Sequence, residues 1–464
     1  MRRLLVLGLD SVPPEFVFDR YLDRMPNLKR MLARSRYGTL RTIDPPITVP
    51  AWTVMFSGVD PGTLGIYGFR HRQSGSYQTM YTPTSKTVSY PCLWDLLSRE
   101  GRRVVVIGMP PGYPPPAVNG IYVSDILTPE SATDFVSPAS LVPEIRAAAS
   151  GEYRFDVTFR AEDRERVENE IFEMTRRRFA VARHLWAKEP WDLFVVHEIG
   201  PDRIHHAFWK YFDAAHPKHV AESPFNSVAE RYYAFLDAEI GKFLESVPDE
   251  VLVWIASDHG SKAMDGCFCI NEWLIQNGFL VLRGPRPARS TPLEEVDVDW
   301  SRTRVWGAGG YYARLFFNLR GREPEGIVDP ADVPELIRTL SDGLGAVRRP
   351  DGEPLGAEML EPSKIYRQVT GDAPDLMTYF GNLNWRSAGT IGHSSLFLAE
   401  NDTGPDDSVH SMDGFFILYD PRDRRPGRRL PEQSILDVAP TLLKRLEIPL
   451  PAHLQGAPIT ELLG

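Results

Sequence analysis

Five side chains with acid–base or metal-binding chemistry stand where apolar runs end. Asp10 follows "LLVLGL" (4–9), Asp202 and His206 lie in "GPDRIHH" after "WDLFVVHEI" (191–199), and Asp258 and His259 fall in "SDHG", where "EVLVWIASD" (250–258) finishes. Each alone is ordinary: an Asp after a strand commonly closes a turn or caps a helix, and an Asp-x-x-x-His pair is satisfied by a solvated helix face. Together they ask for more, because caps do not require histidine and three separate runs end in the same way. Mixed carboxylate and imidazole groups suit Zn²⁺, or alternatively Mn²⁺ or Fe. Five such groups exceed one tetrahedral site and point to two divalent metal ions.

The elements that must position these groups are short and apolar without alternation. Together with "RVVVIGM" (103–109) the three runs read as parallel strands buried on both faces. Between them lie helical patterns, clearest over Glu162–Lys188, where Val167, Ile171, Met174, Val181 and Leu185 recur at helical spacing. Strand–helix alternation predicts an α/β fold, a doubly wound and mostly parallel sheet flanked by helices. Ligands then bind beyond the carboxyl ends of the strands, where the five groups fall. Residues 283–401 differ: they are rich in Pro, Gly and Arg, and "RLFFNLRG" (314–321) reads as a strand or hairpin. We expect a catalytic core over 1–282 and 402–464, with 283–401 an insertion or cap region shaping the pocket. The segment "ILDVAPTLLKRLEIPLP" (435–451) reads as a helix with an Asp cap that packs back on the sheet.

The stretch "DPPITVPAWTVMFSG" (44–58) places Thr48 between prolines, ahead of an apolar run that ends in Gly. Thr, Pro and Gly at these positions match a helix start and exit. In isolation Thr48 reads as a helix cap.

Composition narrows the partners. The 464 residues carry a net charge of −10, which disfavours binding to a nucleic acid polymer. A small phosphorylated substrate stays compatible, since a bound metal dominates the local field. Three cysteines fit a reducing compartment better than a disulfide framework, and Cys267–Phe268–Cys269 alternates as a strand would. The start "MRRLLVLGLDS" has too short an apolar run for a leader, and no stretch approaches the roughly 18 apolar residues of a membrane span. The expectation is a cytoplasmic protein with no membrane partner.

In order along the chain, "LGLDS", "PPITVPAWTVMFSGVDPGTLGIYGF", "PDRIHH", "SDHG" and "HSMDGFFI" resemble the motifs of the alkaline phosphatase superfamily, and within it the type I phosphodiesterase/nucleotide pyrophosphatase branch. The resemblance runs from residue 7 to residue 417. It implies an alkaline phosphatase-like core with one metal held by Asp10, Thr48, Asp258 and His259, and a second by Asp202, His206 and a late histidine. His410, in "SVHSMDGFF", matches the late position better than His393, in "GTIGHSS", because a Gly-Phe-Phe-Ile strand follows it. The resemblance also makes Thr48 the catalytic nucleophile. The implied enzyme is a metal-dependent phosphoester hydrolase, with zinc the first choice of metal, acting through a phosphothreonine intermediate on a small phosphorylated, nucleotide-type substrate.

Departures from the family pattern lie just downstream of Thr48. The family often has His-Gly-Ile where this chain has Leu64-Gly65-Ile66, and its phosphoryl-binding Asn is absent from "YGFRHR" (67–72). Arg70, His71 and Arg72 are the substrate-binding candidates in its place. Sulfatases are the near rival but need C/S-x-P-x-R, whereas this chain reads Thr48-Val49-Pro50-Ala51-Trp52. A phosphomutase of the same superfamily is an alternative, and a non-catalytic metal- or nucleotide-binding protein on the same fold is the alternative from another class.

Overall fold

The computed structural model describes residues 2–463. The core strands are β1 (Arg3–Leu9), β2 (Ser35–Arg41), β3 (Val104–Ile107), β4 (Gly120–Val123), β5 (Val136–Ser137), β6 (Leu193–Glu198), β7 (Val251–Ala256), β8 (Asp413–Tyr419), β9 (Arg428–Arg429) and β10 (Gln433–Ser434). They form one sheet in the order β9-β2-β8-β7-β1-β6-β3-β4-β5, with β10 also paired to β2. The middle of the sheet, β7-β1-β6-β3-β4, is parallel throughout. β8 runs antiparallel to both β7 and β2. The runs expected as buried strands therefore lie side by side.

Alternate residues of β1 explain why these strands are apolar on both faces. Leu5, Leu7 and Leu9 enter one hydrophobic cluster, beneath α2 (Arg164–Lys188), α3 (Gly200–Phe212) and α4 (Val228–Leu244). Leu4 and Val6 enter a second cluster, beneath α1 (Thr48–Ser57) and α5 (Val438–Arg445). The result is a doubly wound α/β fold of the alkaline phosphatase type. α2 opens where its charge pattern begins, with the Asp163 side chain accepting from Arg166 N. α5 is shorter than the pattern over 435–451 suggests. Glu447 adopts a left-handed backbone (φ 59°) just past it, and Pro449 and Pro451 cannot extend a helix. Ser434 caps only the 3-10 turn Ile435–Asp437 that leads into α5, accepting from Leu436 N, while Asp437, at α5's own cap position, makes no side-chain cap contact.

α1 carries the Thr48 segment and is buried at every position. Such a helix needs no polar face, which is why its sequence is apolar all round. It ends at Gly58 in the left-handed conformation (φ 68°). Thr48 is its first residue rather than its cap, the cap position is Ile47, and no side chain caps the helix.

A second, smaller sheet combines Val305–Ala308, Ala313–Phe317, Leu376–Phe380, Trp385–Ala388, Gly266–Cys269 and Phe397–Leu398, with Ala357–Leu360 paired to Leu376–Phe380. It has its own hydrophobic cluster, including Phe268, Trp306, Leu315 and Phe380. The expected strand at "RLFF" is the second arm of a hairpin whose loop is Gly309-Gly310-Tyr311-Tyr312. A Cβ on Gly309 would lie 2.4 Å from Ser387 O, so only glycine lets the loop approach that backbone.

Candidate active site

The carboxyl ends of β7, β1 and β6, three adjacent parallel strands, deliver the acid and imidazole groups to one edge. Asp10 directly follows β1, Asp258 and His259 follow β7, and Asp202 and His206 ride on α3, the helix that leaves β6. His410 arrives by a different route. The short strand Ser408–Ser411 pairs antiparallel with Gly260–Ala263, and Ser261 opposite His410 sets the register. That pairing stacks the His259 and His410 rings at 3.9 Å between centroids.

Two buried triads result. Asp10, Asp258 and His259 converge, as do Asp202, His206 and His410, with the ligand-type atoms of each triad within 4.8 Å of one another. Thr48 joins the first: its Oγ1 lies 3.3 Å from His259 Nε2 and 3.4 Å from Asp10 Oδ1. In the second, His206 Nε2 lies 3.2 Å from Asp202 Oδ1 and 3.3 Å from His410 Nε2. His393 stands elsewhere, with Nε2 2.7 Å from Thr390 Oγ1.

Neighbours hold these groups in place. Asp10 Oδ2 accepts from Trp52 Nε1 at 2.8 Å and faces His197 Nε2 at the same distance. Trp52 reaches it because Gly8 has no side chain; a Cβ there would lie 2.7 Å from the indole ring. His206 Nδ1 sits 2.7 Å from Asp406 Oδ1, and His410 Nδ1 2.7 Å from Pro46 O. With Nδ1 occupied on each ring, Nε2 is the nitrogen turned toward Asp202.

The charges follow from these partners. Burial opposes ionisation of Asp202, but His206 and the Arg203 guanidinium outweigh it and hold its carboxyl well below the usual range. Burial also opposes charge on His206, yet Asp406 and its other neighbours keep its pKa above that of an ordinary histidine. Burial and the nearby His259 push His410 well down, favouring the neutral ring. Burial raises the Asp258 carboxyl, reinforced by Asp10.

Of the downstream candidates, one faces the cavity beside the triads. That cavity, about 420 Å³, is lined by Ile47, Arg70, Arg203, Tyr311, Arg314 and Arg386 among others. Arg70 is exposed on its wall. His71 and Arg72 are buried in structural roles instead. His71 Nε2 accepts from Tyr67 N at 2.8 Å. Arg72 makes a two-pronged pair with Glu323, at 3.0 and 3.1 Å, inside the protein. Their short strand pairs with Met80–Tyr81 and turns both side chains inward.

Several site neighbours carry no obvious mark in the sequence. Tyr311, delivered by the Gly-Gly-Tyr-Tyr loop, places its hydroxyl 3.1 Å from His206 Nε2. Its ring stacks on His410 at 3.8 Å, and Arg386 lies over it at 4.2 Å. Asp406 is buried between His206, Arg160 and Arg386. His197 was visible only as one imidazole inside the apolar run "LFVVHE".

A parallel-centred α/β core with carboxylate and imidazole groups at adjacent strand ends defines the alkaline phosphatase superfamily class. The family model for type I phosphodiesterase / nucleotide pyrophosphatase matches residues 4–412, and the chain belongs to that family. Among solved structures it is similar to human ectonucleotide pyrophosphatase / phosphodiesterase 5, with a TM-score of 0.59 at 12% identity, covering 98% of this chain and 97% of that one. It is also similar to the murine protein, solved as an inactive variant in complex with AMP, with a TM-score of 0.57 at 13% identity and coverage of 97% and 96%. At these identities the likeness is one of fold. No curated protein matches the sequence. Among the described residues no helix is long and apolar enough to cross a membrane.

Proposed function

We propose that the protein is a two-metal phosphodiesterase or nucleotide pyrophosphatase that works through a phosphothreonine at Thr48. The observation that carries this reading is the meeting of Thr48 Oγ1 with Asp10 and His259 beside the second buried triad. The donor set fits metal ions. Asp202 Oδ1 and Asp258 Oδ2 are buried with no hydrogen-bond partner, and the histidines offer Nε2 toward them. On this reading Asp10, Thr48, Asp258 and His259 hold one ion, and Asp202, His206 and His410 the other. Carboxylate and imidazole suit Zn²⁺, with Mn²⁺ or Fe acceptable. Such ions, when bound, would lower the pKa of the Thr48 hydroxyl and neutralise charge on the phosphoryl and leaving oxygens.

The chain's own groups do the rest. The Thr48 hydroxyl is directed at Asp10 Oδ1, with Trp52 and His197 fixing that carboxylate. Thr48 Oγ1 attacks phosphorus in line, the P–O bond to the leaving alcohol breaks, and water then cleaves the phosphothreonine. The N-terminus of α1 faces the same place, and its dipole favours the phosphoryl charge. Tyr311 Oη, beside His206, stands in for the family's Asn as a donor to the phosphoryl oxygens, and Arg70 meets the substrate farther out, on the cavity wall. The smaller sheet, which supplies Tyr311, walls the pocket. A small nucleotide is the substrate class we favour, supported by the AMP complex of the murine relative. The cytoplasm is the compartment we favour, supported by three free, buried cysteines.

The test is release of p-nitrophenol from bis-p-nitrophenyl phosphate and from the monoester, with and without chelator. We expect diester turnover that chelation abolishes and Zn²⁺ or Mn²⁺ restores. Failure of both substrates with either metal would favour a binding protein on this fold.

A further inference from the structure

Five guanidinium groups line the cavity beside the triads: those of Arg70, Arg160, Arg203, Arg314 and Arg386. Three have carboxylate partners within the protein. Arg160 and Arg386 share Asp406, at 2.8 and 3.0 Å. Arg203 pairs with Asp156 at 2.6 Å and also contacts Asp202. Asp156 is the cavity's carboxylate, and Arg203 already occupies it.

Arg70 and Arg314 differ. Among the described residues neither has a carboxylate within ion-pair distance. Arg314 is held in place by two backbone carbonyls, Arg70 O and Gly309 O, the latter at 3.1 Å. These contacts orient its guanidinium without neutralising it. Burial, and the like charge of Arg70, lower its pKa. A second cavity, about 280 Å³, meets the first at Arg70, Arg314 and Arg386. Its acidic members are Glu294 and Asp402, and Asp402 Oδ2 is taken by Thr390 Oγ1 and the Gly389 amide. Arg70 and Arg314 thus line both cavities without a counterion, and the positive charge of the held Arg314 guanidinium favours an anion bound there.

We propose that Arg70 and Arg314 form a subsite for a second anionic group of the substrate, a phosphate or a carboxylate carried on an arm beyond the scissile phosphate. This rests on the phosphodiesterase reading above. A guanidinium fork held from behind by carbonyls presents its free N–H groups to paired oxygens, the geometry in which Arg recognises either anion. The subsite makes the enzyme selective for multiply charged phosphodiesters over simple neutral-armed ones.

Three p-nitrophenyl phosphodiesters, identical except for an arm ending in methyl, carboxylate or phosphate, test this with the metal-loaded enzyme. The wild type should show a KM at least about tenfold lower for one or both anionic arms than for the methyl arm, and the better arm identifies the anion. Arg314→Met should reduce that preference to about threefold or less, and Arg314→Lys, which keeps charge but loses the fork, should retain an intermediate preference. Equal KM for all three arms in the wild type overturns the subsite, as does an undiminished preference in a folded Arg314→Met protein. Turnover of none of the three overturns the hydrolase reading itself, a result distinct from turnover without preference.

Discussion

His206 Nδ1 lies 2.7 Å from Asp406 Oδ1, and that contact turns Nε2 of the same ring toward Asp202 and His410. Asp406 is itself neutralised by Arg160 and Arg386, so it stays ionised in the interior. A carboxylate behind a histidine fixes its tautomer and raises its basicity. Asp406→Asn should therefore weaken metal binding about 10- to 100-fold, read by titration against a chelating dye. Unchanged affinity would remove Asp406 from the centre.

Tyr311 is held by stacking on His410 while its hydroxyl points at His206. Tyr311→Phe keeps the stack and removes the donor. We expect kcat/KM for a phosphodiester to fall about ten- to a hundredfold, the worth of a hydrogen bond to a charged oxygen. Wild-type kinetics would mean that the ring only packs.

Arg72 and Glu323 form a buried pair, with side chains 3% and 0% exposed. Removing one partner strands the other charge. Glu323→Gln should cost about 3–5 kcal/mol in urea unfolding, with turnover per folded molecule retained. The opposite outcome, unchanged stability with lost activity, would return Arg72 to the substrate.

His71 is held neutral, its pKa lowered to about 4 from 6.5 by burial and by Arg314. Between those values the unfolded chain binds the proton and the native protein does not, so acidification favours unfolding. Relative to His71→Asn, the wild type should lose stability as pH falls from about 6.5 to about 4, by no more than about 1.4 kcal/mol per pH unit. A flat difference across that window would mean that His71 is charged in the native state.

The strand ends were legible because parallel strands buried on both faces are apolar until they stop, so Asp10, Asp202 and Asp258 stood out. His410 was legible only through the motif, since its place depends on pairing with residues 260–263. Asp406 was not legible: "GPDDSVH" looks like any polar turn until Arg160 and Arg386 close around it. The inward turn of His71 and Arg72 was equally hidden, because Glu323 lies 251 positions away in sequence. Tyr311 depended on the register of a hairpin, which two glycines and two tyrosines do not reveal.

The central claim is that Thr48 carries the phosphoryl group. Acid quench of the metal-loaded enzyme during turnover of bis-p-nitrophenyl phosphate, followed by peptide mass spectrometry, tests it directly. We expect a phosphoryl ester on Thr48 and, in Thr48→Ala, a folded, metal-binding protein with turnover reduced on the order of 10³-fold or more. A Thr48→Ala enzyme that turns over near the wild-type rate, with no adduct on Thr48 in the wild type, would contradict it.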